Sequence, residues 1–296
     1  MDKYSQIILL GIATGIAARI FMLRNDYRSY PSYPHGYVTH ISLGIIAAAL
    51  GSIAIPALLE KEFTAVTFLV LAAQQFRDIR NMERETLSKL ENYNMVPRGF
   101  DYIEGIAKTF EARNYLVILV SLVSTGTAVL FNIWIGIFAG IFTIFISGFL
   151  MRGDFVKDIA IVKIGKLHFE KSLLMVDNIV IMNIGLEDSK KKILSEGIGL
   201  IIHPKNDNAR ATLNNLGQRQ AILHDVSVLV GSKLETGEPD WTPLMRKDID
   251  TGKLALYILP NEKDVECVIQ AVYQTPILES AVQKPLESKI GRKAAD

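Results

Sequence analysis

Cysteine is nearly absent. Cys267 is the single one, so no intrachain disulfide can form. An excess of charge of either sign is also missing: 32 Lys and Arg face 31 Asp and Glu, and the basic residues are not clustered. Binding a phosphate backbone needs such a cluster, so nucleic acid is excluded as a partner class. Nucleotide, zinc-protease, serine-hydrolase and redox motifs are lacking too: no Walker loop, no H-E-x-x-H, no G-x-S-x-G and no C-x-x-C occurs. The residues predict no cofactor and no metal centre. The fourth gap is the most informative. From Tyr115 to Met151 the chain carries no Asp, Glu, Lys, Arg or His.

A membrane-crossing helix needs about 20 apolar residues, because the hydrocarbon layer is roughly 30 Å thick and each residue rises about 1.5 Å. The stretch from Tyr115 to Met151 is long enough for two spans with a tight turn near Asn132, so the lipid bilayer is an expected partner. Two further spans are read at Tyr4–Leu23 and Tyr37–Leu59, the second with Pro56 near its end. A weaker fifth segment, Phe63–Ala73, is followed at once by Gln74, Gln75 and Arg77. If it crosses, Arg24 and Arg28, the basic residues between Arg77 and Arg113, and everything from Arg152 onward share one side. The rule that basic loops stay inside then puts the N-terminus outside and the C-terminal domain in the cytosol. If it does not cross, Arg24 and Arg28 move outside. About five spans are expected, with four as the alternative.

The first half is thus expected to be an α-helical integral membrane domain, residues 1–151, with a long cytosolic helical segment at 77–114. Gly11 and Gly15 form a G-x-x-x-G pair that lets helices approach closely. Arg19 lies near the end of its span, from where it can snorkel to the headgroups, and His40 is close enough to the interface to be hydrated. The first inside loop carries Tyr27, Tyr30, Tyr33 and Tyr37 around Pro31 and Pro34, with His35 beside them. Rings of this kind belong at the membrane surface. A stiff, charged and aromatic loop also suits protein docking.

From Thr64 the helical pattern runs on past the apolar part, with Phe76, Ile79, Glu83, Leu87 and Leu90 at spacings of three and four, an apolar stripe with one acidic interruption, to about Tyr93. Pro97 and Gly99 break it. A second helix starts near Asp101, with Tyr102, Ile106 and Phe110 on one face, and Glu111 reads as solvated. Within that helix Tyr102 to Ala107 spells YIEGIA. With Asp26-Tyr-Arg, Tyr30-Pro-Ser-Tyr-Pro-His-Gly36, Phe63-Thr-Ala-Val-Thr-Phe68 and Ala72-Ala-Gln-Gln-Phe-Arg77, this resembles the YIEGIA family of membrane proteins from endospore-forming Firmicutes. The resemblance implies a role in sporulation or spore germination, in the forespore or mother-cell membrane. A membrane-protease activity is among the things it implies, and it supplies no catalytic residues to carry over.

Residues 152–283 read as a small cytosolic α/β domain, with 20 Lys and Arg balancing 20 Asp and Glu from Arg152 onward. Strands are expected at Ile159–Ile164, Leu167–Phe169, Asn178–Ile184, Gly199–Ile202, Val226–Val230 and Leu254–Leu259. Helices are expected at Asp188–Ser195, Asn206–Leu223 and Asp264–Tyr273, with Cys267 as a small buried residue of the last. A ferredoxin-like arrangement fits this order. Gly231–Gly252 reads as a long loop, and 284–296 as a disordered tail.

Two functional expectations stand side by side. In the first, the membrane domain anchors a regulatory or interaction domain and binds a protein partner during sporulation, through Tyr30, Tyr33, His35, Arg77, Arg80, Tyr102 and Glu104. In the second, carboxylates on one side of the bilayer, Asp78 and Glu104, serve an aspartyl-type protease that cuts a spore protein. His203 and His224 read as ordinary loop-edge residues, with convergence on a metal or a cleft as the alternative.

Overall fold

A computed structural model describes residues 4–23, 34–91, 94–151, 153–232 and 242–294, with backbone alone at 34–36 and 294. The chain divides into two compact units. One holds Met1–Thr86 and Ile106–Arg152, the other Leu87–Gly105 and Gly153–Asp296. The division runs through two helices and parts the 77–114 segment between the two units.

The first unit is helical: α1 (Ser5–Leu23), α2 (Pro34–Leu59), α3 (Phe63–Leu90), α4 (Phe100–Leu130) and α5 (Ile133–Leu150), where the last turns of α3 and the first of α4 belong to the second unit. Residues 5–23, 37–59, 100–130 and 133–150 form helices long and apolar enough to cross a membrane; α3 is not among them. The turn expected at Asn132 is there. Asn132 caps α5, its side chain accepting the Ile135 N–H at 3.0 Å. The outer surface of α5 is a row of exposed phenylalanines, Phe138, Phe142, Phe145 and Phe149, and its buried face is small: Gly136, Gly140 and Ser147.

Small residues set the helix spacing. A methyl added to Gly15 would clash with Ser121 of α4 and lie 2.6 Å from Cβ of Ala48 on α2. One added to Gly11 would clash with Thr125 of α4 and sit 2.5 Å from the Ser52 hydroxyl of α2. The G-x-x-x-G pair therefore lets α1 meet α2 and α4 at backbone distance. Beside it lies a core of Ala18, Met22, Ala47, Ala48, Phe76, Val117 and Val120, against which Leu69, Ala72 and Ile79 of α3 pack.

The second unit has three layers. A four-stranded sheet in the order β1-β5-β7-β6 is antiparallel throughout; its strands are β1 (Ala160–Gly165), β5 (Ile198–Pro204), β6 (Leu244–Lys247) and β7 (Leu254–Ile258). One face carries Leu200, Ile202, Leu254, Leu256 and Ile258 under the helices α8 (Asp207–Asn214), α9 (Leu216–Val230) and α10 (Val265–Gln274), next to the single turn α6 (Val156–Ile159). The other face carries Ile201, Ala255 and Tyr257 under α7 (Glu187–Glu196) and a second sheet, β2-β3-β4 (Leu167–Glu170, Leu173–Val176, Ile179–Asn183). Burial on both faces is why β5 and β7 read as unbroken apolar runs. β5, the helices α8 and α9, then β6, β7 and α10 follow the ferredoxin-like course. β1 stands beside β5, where that arrangement has its last strand, so the closing strand comes from the front of the chain. The open edge of β1 is partly blocked: the Val162 N–H donates to the Tyr273 hydroxyl at 3.0 Å.

Several expectations need correction. Asn206–Leu223 is two helices, because Asn215 adopts an extended conformation and caps α9 by accepting the Gln218 N–H. Val226–Val230 is the end of α9 and not a strand; Val226 is fully buried against the sheet, so tertiary packing overrides β-branched preference. The expected loop 231–252 contains β6, and its residues 233–241 lie outside the described ones. Residues 284–294 are not a structureless tail. They form a 3-10 turn, Pro285–Glu287, and the helix α11 (Lys289–Ala294), tied down by the Leu286 N–H donating to Asn208 Oδ1 at 2.9 Å. Cys267 is exposed at the start of α10, beside its cap Asp264.

Candidate functional site

Two buried polar constellations stand out, one in each unit. In the helical unit Arg19 of α1 is 1 % exposed. It does not snorkel. Its Nη2 donates to Nδ1 of His40 at 2.6 Å and its Nε to the His40 carbonyl at 3.1 Å. A guanidinium only donates, so Nδ1 of His40 is the acceptor and the ring proton sits on Nε2. The guanidinium also lies over the Phe110 ring, 5.3 Å from its centre, and the His40 ring meets Phe110 edge-on at 4.8 Å. Gly44 of α2 makes the slot, since a methyl there would fall 2.5 Å from Arg19 Cγ. His40 is 6 % exposed, so it is not a hydrated interface residue. Nearby on α3 and α4, Arg80 Nη1 pairs with Glu111 Oε2 at 3.3 Å, and that glutamate is mostly buried.

In the second unit the segment 94–105 is bonded to one face of α9. Gln220 Nε2 donates to the Pro97 carbonyl at 2.6 Å, and His224 Nδ1 donates to the Val96 carbonyl at 2.7 Å. Tyr102 donates its hydroxyl to Asp225 Oδ2 at 3.2 Å, and its ring meets that of His224 edge-on at 6.2 Å. The Asp101 carboxylate lies against Gly217 in the first turn of α9, where a side chain would clash with it and where the helix dipole favours an anion. Within the segment's own approach, Glu91 accepts the Gly99 N–H at 3.0 Å. Burial pushes the Asp225 carboxyl up to about 6, with the Tyr102 hydrogen bond pulling the other way. Burial also lowers the His224 imidazole. His224 is thus a helix residue 3 % exposed, not a loop-edge histidine.

The residues singled out from the sequence are scattered. Asp78 is exposed on α3 in the helical unit, and Glu104 is half-buried in the other unit. Arg77 is exposed, whereas Arg80 is held by Glu111. Tyr102 is buried on Asp225 and does not offer its hydroxyl to solvent. Tyr30 and Tyr33 lie outside the described residues, and the His35 side chain is not described. Among the described residues no group of three His, Cys, Asp or Glu side chains is placed to hold a metal ion. Gln220 falls within the expected helix Asn206–Leu223 and Asp225 just beyond it; neither is singled out by local pattern, because the groups they meet lie 123 residues away.

The word YIEGIA thus opens a helix whose tyrosine is bonded to Asp225, and a family model described as YIEGIA protein matches residues 7–288. The chain belongs to the YIEGIA family. It is 47 % identical over 287 residues to the "uncharacterized protein YphB" of Bacillus subtilis (strain 168), with 97 % of each chain covered. No solved structure matches it. In this YIEGIA protein the word is divided between the units: Tyr102–Gly105 belong to the α/β unit, and Ile106 and Ala107 to the helical one.

Proposed function

We propose that this YIEGIA protein is a multi-pass membrane protein of sporulation or germination, whose helical unit anchors a cytosolic regulatory or interaction domain. One observation carries the anchoring part. The helix bearing the family word is used at its start to hold the α/β unit, through Tyr102 and Asp225, and at its far end is apolar enough to lie in lipid. The exposed Arg77 and Asp78 of α3 leave a charged face for a protein partner. The permuted ferredoxin-like sheet, with both faces covered, serves as the rigid body of the interaction domain. The spore role is what the resemblance to the family implies, and a 47 % identical relative occurs in Bacillus subtilis, an endospore former.

Five crossings are favoured over four by packing. α3 leaves α2 through the short turn Glu60–Glu62, and its Phe76 and Ile79 pack with Ala18 and Met22 near the end of α1. It therefore runs the depth of the bundle although its second half is charged. The test of function is genetic. Deleting the gene in an endospore former should lower the yield of heat-resistant spores or slow their germination. The wild-type gene should restore both, and Tyr102→Ala should restore them poorly. Unchanged sporulation and germination in the deletion strain would overturn the reading.

A further inference from the structure

We propose that His224 and Asp225 are two arms of a latch that acid drives in opposite directions, so that the start of the YIEGIA helix stays docked on α9 as pH changes. The geometry carries this. Neighbouring residues of one helix grip one segment, His224 through the Val96 carbonyl and Asp225 through the Tyr102 hydroxyl. The charged and titratable groups facing them are Tyr102 from α4, Arg98 from the connection and Glu91 just past the end of α3; Thr275 at the end of α10 adds a hydroxyl to Asp225, and Asp101 lies farther off, against Gly217 in the first turn of α9.

Each arm titrates for a plain reason. The docked His224 is neutral, with its one ring proton on Nδ1 spent on Val96. A second proton places a cation in a buried site beside Arg98; the Val96 hydrogen bond and Glu91 offset this in part, but burial outweighs them, so protonation favours release. Asp225 behaves in reverse. Its charge is costly where it is buried, and protonation relieves that cost, so acid favours docking. In linkage terms, a carboxyl whose pKa is raised by docking binds more protons docked, and docking strengthens as pH falls through 6. A histidine whose pKa is lowered by docking binds fewer, and docking weakens over the same interval.

Hydrogen exchange of the full-length protein in lipid nanodiscs tests this, by the protection of amides 94–105 at pH 7 and pH 5 after correction for intrinsic rates. His224→Gln keeps a donor for Val96 and removes the acid-released arm. Its protection should rise on acidification, by about tenfold at most, the amount supplied when release returns the carboxyl from about 6 all the way to 3.8. Asp225→Asn keeps an acceptor for Tyr102 and should lose protection on acidification. The wild type should change less than either. Tyr102→Phe, which folds without either charged substitution, should move the acid strengthening to higher pH, because the lost hydrogen bond no longer holds Asp225 down. Variants that shift in the same direction, a wild type steeper than both, or a Tyr102→Phe profile identical to wild type would overturn the proposal.

Discussion

His40 Nδ1 lies 2.6 Å from Arg19 Nη2, deep between α1 and α2, so a histidine lone pair helps to hold a buried guanidinium. Removing that side chain takes the acceptor from Arg19 Nη2, while Nε keeps the backbone carbonyl of residue 40. His40→Ala is expected to cost about 1–3 kcal/mol, the usual penalty for an unmet buried donor. His40→Gln, which restores an acceptor, should cost less. Thermal unfolding in detergent micelles ranks the two, and equal losses would mean that the ring volume matters and the lone pair does not.

Gly15 sits where α1 touches both α2 and α4, and a methyl there meets Ser121 and Ala48 together. Gly15→Ala should destabilise the helical unit by about 1–3 kcal/mol through overpacking, and Gly15→Leu should prevent its assembly. Adding Ser121→Ala to Gly15→Ala should recover part of the loss and not all of it, because Ala48 remains. The midpoint of unfolding in mixed micelles reports each step.

Tyr257 is fully buried between the two sheets, and among the described residues its hydroxyl has no hydrogen-bond partner. Burial alone pushes that phenol above its ordinary range. Tyr257→Phe is therefore expected to be neutral or stabilising, since it deletes an unmet polar atom and keeps the ring. Tyr257→Ala should lose about 3–5 kcal/mol by opening a cavity. A clear loss of stability in the phenylalanine variant would reveal a partner for the hydroxyl, such as an internal water.

The α/β unit takes Leu87–Gly105 as part of itself, so residues 153–296 alone lack the groups that meet Gln220, His224 and Asp225. Expressed by themselves, those residues should unfold at a lower temperature than the same unit in the whole chain. A peptide of residues 87–105 should raise that temperature in a concentration-dependent way. A Tyr102→Ala peptide should do so less.

How far the sequence revealed this arrangement depended on range. The apolar run from Tyr115 to Met151, the turn at Asn132, the long α3 and the strands β1, β5 and β7 follow from local pattern, because a span or a doubly buried strand writes its environment into every residue. The short β3 and β6 were invisible; each has only four residues and is defined by its neighbours. Arg19 was misread for a similar reason. Its position near a helix end suggests snorkelling, and only the opposite helix, with Gly44 and His40, turns it inward. Tyr102 was found through the family word, but its partner Asp225 stands 123 residues away and carries no mark that links the two.

The proposed path of the chain through a bilayer gives the last prediction. Phe63 and Phe68 are exposed on the apolar part of α3, which suits lipid, while its second half bears Arg77, Asp78 and Arg80. With α3 counted as a crossing, the termini fall on opposite sides, and the basic residues between Arg77 and Arg113 stay with the α/β unit on the inside. A reporter active only in the cytosol should work when fused after Asp296 and fail when fused before Met1. A single cysteine placed at Lys61, in a Cys267→Ser background, should react with an impermeant thiol reagent added outside the cells; one placed at Lys89 should react only after the membrane is opened. If both termini report the same side, α3 does not cross and the chain has four spans, with the charged half of α3 lying along the surface.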